Sequence, residues 1–379
     1  MTKKTDPSDI YRKIGVRPAI NASGTTTAFG GTKLRPEIMP AMEKAASVLV
    51  DINELNQKVG SIIAELIGAE AAFVSSGSAG GLVLQAAAVI AGKDPGKMAQ
   101  IPDTTGMKNE IIIQNCQRFA YDQAYRAAGA KLIGIGEGRR CHPWQLESAF
   151  TEKTAAVAYL ISPFYSRRAL SLEDVCKIAH ARDIPVIVDA ASTLPPRENL
   201  KTAINAGADM VILSGGKGIR GPQGTGILLG RKDLIEAASA NASPNQFIGR
   251  SMKVSKEEII GLLEALNIFI REDEEEETRN YMLMTEKIVD SVAEFSGIEA
   301  TIKHDKIDYL IPTAVLKFTD NWIGPTRNTI FEMLSKGDPP IFLHTLGNPD
   351  ELGVDPMNLD EQELETLIHR LSEELAKSH

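Results

Sequence analysis

Ala208-Asp209-Met210-Val211-Ile212-Leu213-Ser214-Gly215-Gly216-Lys217-Gly218 is the stretch whose reading decides the fold. Residues 208–213 form a short apolar run of the kind that becomes a buried strand. A lysine directly after such a strand, wrapped in glycines, is poorly explained as a surface charge. The glycines let the backbone bend tightly and let a bulky group approach. About one βαβ unit upstream, Pro185-Val186-Ile187-Val188-Asp189-Ala190-Ala191-Ser192 is a second such run, and it ends on an aspartate. This spacing sets Asp189 and Lys217 at the carboxyl edge of neighbouring parallel strands, where α/β proteins bind ligands.

Outward from this pair the chain alternates. Strands are expected over 71–75, 110–114, 131–135, 155–162, 185–189 and 208–213, with helices over 82–91, 121–128, 143–150, 171–183 and 200–206 between them. A last strand over 224–230 is close enough in sequence to turn back as an antiparallel neighbour. Continuous apolar strands alternating with helices predict a mostly parallel sheet covered on both faces. Between the strand at 71–75 and its helix lies Ser75-Ser76-Gly77-Ser78-Ala79-Gly80-Gly81. A Gly/Ser turn at a helix N-terminus is a ready anion site, because free N–H groups and the dipole converge there. After Asn245 the pattern changes. A long helix over 256–270 runs into an acidic, solvated face at 271–277, and strands over 300–302, 314–318 and 341–343 with helices over 326–334 and 360–377 predict a smaller α+β C-terminal domain. The expected division is an N-terminal arm and helix over 1–50 that packs on the small domain or a partner subunit, a large ligand-binding domain over 51–255, and a small domain over 256–379.

Composition bounds the function. The 379 residues carry a net charge of -9, which argues against nucleic acid as a partner. Cys116, Cys141 and Cys176 show no CxxC spacing, so a reducing compartment is expected and no zinc site. The six histidines form no HExxH pair, so no catalytic metal is expected. The polar N-terminus has no signal core, and no apolar run of about 18 residues could span a bilayer. The expectation is a cytoplasmic protein without a membrane partner.

A lysine amine and a carboxylate on one rim, with an anion turn nearby, are what pyridoxal 5'-phosphate (PLP) needs. The lysine forms a Schiff base, and the aspartate keeps the pyridine nitrogen protonated so the ring can act as an electron sink. Nucleotide motifs fit less well. Gly218 follows Lys217 where a phosphate loop requires Ser or Thr, and Gly134-Ile135-Gly136 does not open a helix.

The segments Ser75–Gly81, Val186–Ala191 and Ser214-Gly-Gly-Lys-Gly-Ile-Arg-Gly-Pro-Gln-Gly-Thr-Gly226, with the opening Ile20-Asn-Ala-Ser-Gly-Thr25 and Ile248-Gly-Arg-Ser-Met-Lys-Val-Ser-Lys-Glu-Glu258, resemble fold-type I PLP enzymes. They are most similar to the branch around selenocysteine synthase and D-glucosaminate-6-phosphate ammonia-lyase, over roughly residues 10–375. The resemblance implies a transferase-like α/β fold with a mostly parallel seven-stranded sheet. It implies that Lys217 carries the cofactor and acts as base, and that Asp189 pairs with the ring nitrogen. Ser76, Gly77, Ser78 and Ala79 would hold the phosphate with Ser214, Ala191 would lie against the ring, and Gln223 would approach the cofactor of a neighbouring subunit in a homodimer or larger assembly. Arg250, Ser162 and Arg35 are the expected substrate contacts. Gln117 stands where many relatives have a histidine that covers the ring, and it is the expected cofactor contact at that position. Met357 stands near an expected arginine, so Arg250 or His344 would take over recognition of an acid group.

The function this implies is a PLP-dependent lyase acting on a hydroxylated amino acid or amino sugar acid such as D-glucosaminate 6-phosphate. α,β-Elimination would give a 2-keto acid and ammonia. A selenocysteine synthase-like transferase, a racemase or aldolase, and an inactive PLP-fold binding protein are the other readings.

Overall fold

Along each central strand, alternate side chains enter two different cores. Ile111, Ile113, Ala156, Ala158, Ile187, Met210, Ile212 and Leu228 lie in one, while Ile112, Val157, Val186, Val188, Val211, Leu213 and Ile227 lie in the other. This period of two puts an apolar layer on each face of one sheet, so both faces must be covered. The computed structural model describes residues 7–164, 168–345 and 347–377. The sheet has seven strands, in the order Ala71–Ser76, Thr225–Gly230, Met210–Ser214, Val186–Asp189, Thr154–Leu160, Glu110–Gln114, Lys131–Ile135. Only Thr225–Gly230 runs antiparallel to its neighbours. The α/β class, the mostly parallel sheet and the turned-back last strand are as the sequence predicts.

Helix Gly77–Ala91 is buried along most of its length and carries one core. Such an evenly apolar helix belongs inside an α/β protein. Helices Ile52–Ile67, Leu172–His180 and Lys256–Arg271 supply the other core. Asp51, Ser171 and Ser255 cap these three helices with side-chain oxygens.

The chain separates into two compact units, Leu34–Glu272 and Met1–Lys33 with Asp273–His379. This differs from the expected 1–50, 51–255 and 256–379. The sequence pattern sets helix Lys256–Arg271 in the small domain, yet Ile259, Leu262, Ala265, Leu266 and Phe269 complete the large core. The break comes instead where Glu272 leaves that helix as its C-cap. The smaller unit holds an antiparallel sheet of Ile298–Lys303, Thr313–Phe318 and Glu351–Val354. Ile20–Ala22 pairs in parallel with Ile341–Leu343, and Phe29 stacks on Phe342 at 3.9 Å between ring centroids. Residues 1–6 of the expected arm lie outside the described residues. No helix among the described residues is long and apolar enough to cross a membrane.

Candidate active site

Strand register brings the sequence-predicted residues to one edge of the sheet. Leu160 is level with Asp189, and Asp189 with Ile212. Ser214 and Ser75 are both level with Gly226, one from each side. The carboxyl ends of four strands therefore share this edge, and each continues into a loop that bears candidate side chains.

The turn after Ala71–Ser76 is built for an anion. Gly77 has φ +60°, a left-handed conformation that side chains disfavour. Its N–H donates to the Gly224 carbonyl at 2.7 Å, and Ser75 Oγ donates to its carbonyl at 2.9 Å. Ser76 is the N-cap but makes no side-chain cap bond. The N–H groups of Ser78 and Ala79, in the first turn, are thus left for a ligand. Met252 packs beside Gly80, so the loop that carries the exposed Arg250 borders this turn.

Asp189 is 5% exposed. Its Oδ1 accepts from the Ala191 N–H at 3.0 Å. Burial pushes its carboxyl above the usual range, and the Ala191 N–H and the Lys217 cation oppose this. Lys217 is pushed the other way: burial lowers its ammonium, and the Asp189 carboxylate pulls it back up. Each group is thus held closer to neutrality than in water. Lys217 Nζ donates to Ser192 Oγ at 2.6 Å. The lysine loop is tight, with the Arg220 N–H on the Lys217 carbonyl and the Gly221 N–H on the Gly215 carbonyl, both at 2.8 Å.

Other predicted residues are placed less uniformly. Ser162 comes after the Thr154–Leu160 strand on the same edge, where the adjoining Ile161 N–H donates to the Asp189 carbonyl at 2.8 Å. Ser214 ends its strand, buried. Ala191 is half-buried, and Gln223 is exposed just beyond the lysine loop. Gln117 is 0% exposed, and its Nε2 donates to the Leu160 carbonyl at 3.0 Å. Its amide thus ties two strand ends together. Arg35 is 7% exposed and pairs with Glu272, which also meets Arg197 Nη2 at 3.3 Å.

In the smaller unit, Met357 packs against Tyr281 and Ile311. His344 there is pushed down to about 4 by burial and by the Arg327 cation, so it is neutral at pH 7 and offers no charge to an acid group. Among the described residues no His/Cys/Asp/Glu cluster could hold a metal ion.

Sequence reasoning missed two residues here. Ser192 stands in the quoted Asp189-Ala-Ala-Ser192, but nothing in the sequence aims its hydroxyl at Lys217. Tyr125 is buried, and its phenol is pushed well up by burial and by the charges of Asp189 and Asp122. It sits on a short helix with no motif to mark it.

These residues fit PLP. The Gly77–Ala79 turn suits its phosphate. A buried carboxylate suits a protonated ring nitrogen, and an amine held near neutrality suits its aldehyde.

Comparison with known proteins agrees. The family SelA, L-seryl-tRNA selenium transferase, matches the chain over residues 20–296. A D-glucosaminate-6-phosphate ammonia lyase of Salmonella typhimurium is 30% identical, over 96% of this chain and 97% of its own. A 5'-C-glycyluridine monooxygenase-decarboxylase of a Streptomyces species is 31% identical, over 97% of this chain and 92% of its own. Among solved structures, a D-glucosaminate-6-phosphate ammonia-lyase superposes with a TM-score of 0.85 at 30% identity, covering 100% of both chains.

Proposed function

Because the chain belongs to the L-seryl-tRNA selenium transferase (SelA) family, within the fold-type I PLP enzymes, we propose that it is a PLP-dependent ammonia-lyase acting on a hydroxylated amino acid or amino sugar acid, D-glucosaminate 6-phosphate being the first to test. One observation carries the reading: Asp189, Lys217 and the Gly77–Ala79 turn share one sheet edge in a chain that matches such a lyase end to end.

When bound, PLP supplies the electron sink for the pair released at the substrate α-carbon. Asp189 would hold the proton of the ring nitrogen. The Ser78 and Ala79 N–H groups, with the Ser214 hydroxyl, would hold the phosphate. Ala191 would support the ring, and Gln117 fixes the strand ends on that edge. Lys217 Nζ takes the α-proton; burial, which lowers its ammonium, keeps more of it in the neutral form that a base requires. Net loss of the α-proton and the β-hydroxyl would give water and an enamine, whose hydrolysis gives a 2-keto acid and ammonia. Arg250, beside the phosphate turn, receives the acid group of the substrate, with Ser162 across the edge. Exposed Gln223 reaches the neighbouring subunit of a homo-oligomer, and three free cysteines suit a reducing cytoplasm.

A second reading has its own support. The Streptomyces relative is as similar in sequence and is named for an oxygen-dependent decarboxylation. The purified protein with PLP should release ammonia and a 2-keto acid from D-glucosaminate 6-phosphate or another member of a hydroxylated amino acid panel, without oxygen uptake. Oxygen uptake with loss of carbon dioxide would favour the second reading, and no turnover on any substrate would overturn the lyase.

A further inference from the structure

Lys217 Nζ and Ser192 Oγ are 2.6 Å apart, and the turn and loop that carry them are held by bonds outside this contact. We propose that Ser192 is a positioning residue for Lys217: its hydroxyl holds the lysine amine whenever that amine is not covalently engaged, and so sets where the amine gains and loses its proton. The inference rests on the reading of Lys217 as the cofactor lysine.

The backbone that carries the serine is held on both sides. It comes after Ala191, whose N–H is held by Asp189 Oδ1 at 3.0 Å. It precedes Thr193, whose Oγ1 donates to the Ala190 carbonyl at 2.8 Å. Asn199 Nδ2 then donates to the Thr193 carbonyl at 2.8 Å. On the lysine side, Gly218 lies directly against Leu194. The turn that carries Ser192 and the loop that carries Lys217 are therefore packed together, which sets the distance across which the two side chains meet.

A hydroxyl suits this task better than a second carboxylate. It accepts from an ammonium and donates to a neutral amine, so it holds both forms. A carboxylate would hold only the charged form and would raise its pKa. In the base step the substrate C–H electron pair stays with the substrate. The Nζ lone pair becomes the new N–H bond, and the resulting ammonium remains bonded to Ser192 Oγ. No proton passes to the serine. The same contact keeps the long lysine side chain from wandering before it attacks the cofactor aldehyde, which favours the reacting geometry.

The test tracks imine formation rather than turnover. Full-length wild type, Ser192→Ala, Ser192→Thr and Lys217→Ala are mixed with PLP and trapped with borohydride at timed intervals. Mass spectrometry reads the fraction of residue 217 modified, and the near-visible band is recorded in parallel. Ser192→Ala should label Lys217 at least about fivefold more slowly, the loss expected for one hydrogen bond, and Ser192→Thr should recover the rate. A Ser192→Ala rate equal to wild type overturns the proposal. Should Ser192→Ala fail to fold, Ser192→Cys decides on the same readout, since a thiol keeps the volume but bonds weakly. Absence of labelling at Lys217 in wild type would instead remove the cofactor reading itself.

Discussion

Gly218 meets Leu194 so closely that a β-carbon at 218 would lie 2.3 Å from the Leu194 carbonyl oxygen and 2.5 Å from its carbonyl carbon. These are backbone atoms, which cannot rotate away as a side-chain tip can. The glycine after the lysine is thus a packing requirement between the lysine loop and the turn beyond Asp189. Gly218→Ala should leave a folded protein whose two loops are pushed apart. We expect PLP affinity to fall at least about tenfold, which corresponds to about 1.4 kcal/mol, as measured by equilibrium titration of the near-visible band. Unchanged affinity would show that the two loops need not touch.

Burial makes the Asp189 carboxylate a cost to the folded protein. Its raised pKa means that folding shifts the group toward the protonated acid. The stability it contributes is present in full below the ordinary value of 3.8 and is lost as pH rises through the raised value. Without PLP, Asp189→Asn should therefore melt higher than wild type by about 1–3 °C at pH 7–8, and the gap should close as pH falls toward 4. With PLP the order should reverse, because only the carboxylate pairs with a protonated ring nitrogen. Turnover should drop at least about a hundredfold. Thermal melts at several pH values, with and without PLP, check both signs.

Gln85 lies fully buried on the helix Gly77–Ala91, and its Nε2 donates to the carbonyls of Val188 and Met210 at 3.2 and 3.4 Å. Its Oε1 is buried with no partner among the described residues. The long bonds and the orphan acceptor nearly offset each other, while the volume does not. Gln85→Met should stay within about 1 kcal/mol of wild type, and Gln85→Ala should lose about 2–4 kcal/mol to the cavity it leaves. Urea unfolding separates the two. A large loss in Gln85→Met would mean that the amide, not its volume, is what the site needs.

The sheet was legible because its strands announce themselves twice, as continuous apolar runs and by the glycines and polar residues at their carboxyl ends. Asp189 and Lys217 could be set on one rim from spacing alone, since parallel strands joined by helices must return in the same direction. Side-chain direction was not legible. Gln117 is next to the site in sequence, yet its amide turns into the protein to hold Leu160. Ser192 was in plain view, yet its contact with Lys217 depends on how a turn closes. Which core the helix Lys256–Arg271 faces is likewise hidden: its apolar stripe is visible in sequence, but its packing against the large core is not. The short strand Glu351–Val354 was missed because Glu-Leu-Gly-Val has too few apolar side chains to mark a strand.

Asp355, in the smaller unit, is pushed up to about 6 by burial, against the Met357 N–H that bonds its Oδ1 at 2.9 Å. An acid whose folded pKa is raised stabilises the protein below about 4 and loses that contribution as pH rises through about 6. Asp355→Asn keeps the acceptor for Met357 and removes the charge. It should melt higher than wild type at pH 7.5, and the gap should narrow at pH 4.5, by calorimetry. A constant offset at both pH values would assign the effect to packing.

Arg35 decides between two roles. The sequence offered it as a substrate contact, whereas it lies 7% exposed and paired with Glu272. Glu272 keeps Arg197 when Arg35 is removed, so Arg35→Met breaks one ion pair without leaving a lone carboxylate, and it should cost no more than about 2 kcal/mol in urea unfolding. If the role is structural, Arg35→Met turns over substrate with near wild-type KM. If Arg35 grips the substrate acid group, KM rises at least about tenfold in Arg35→Met although the protein stays folded, because the guanidinium that received the acid is gone.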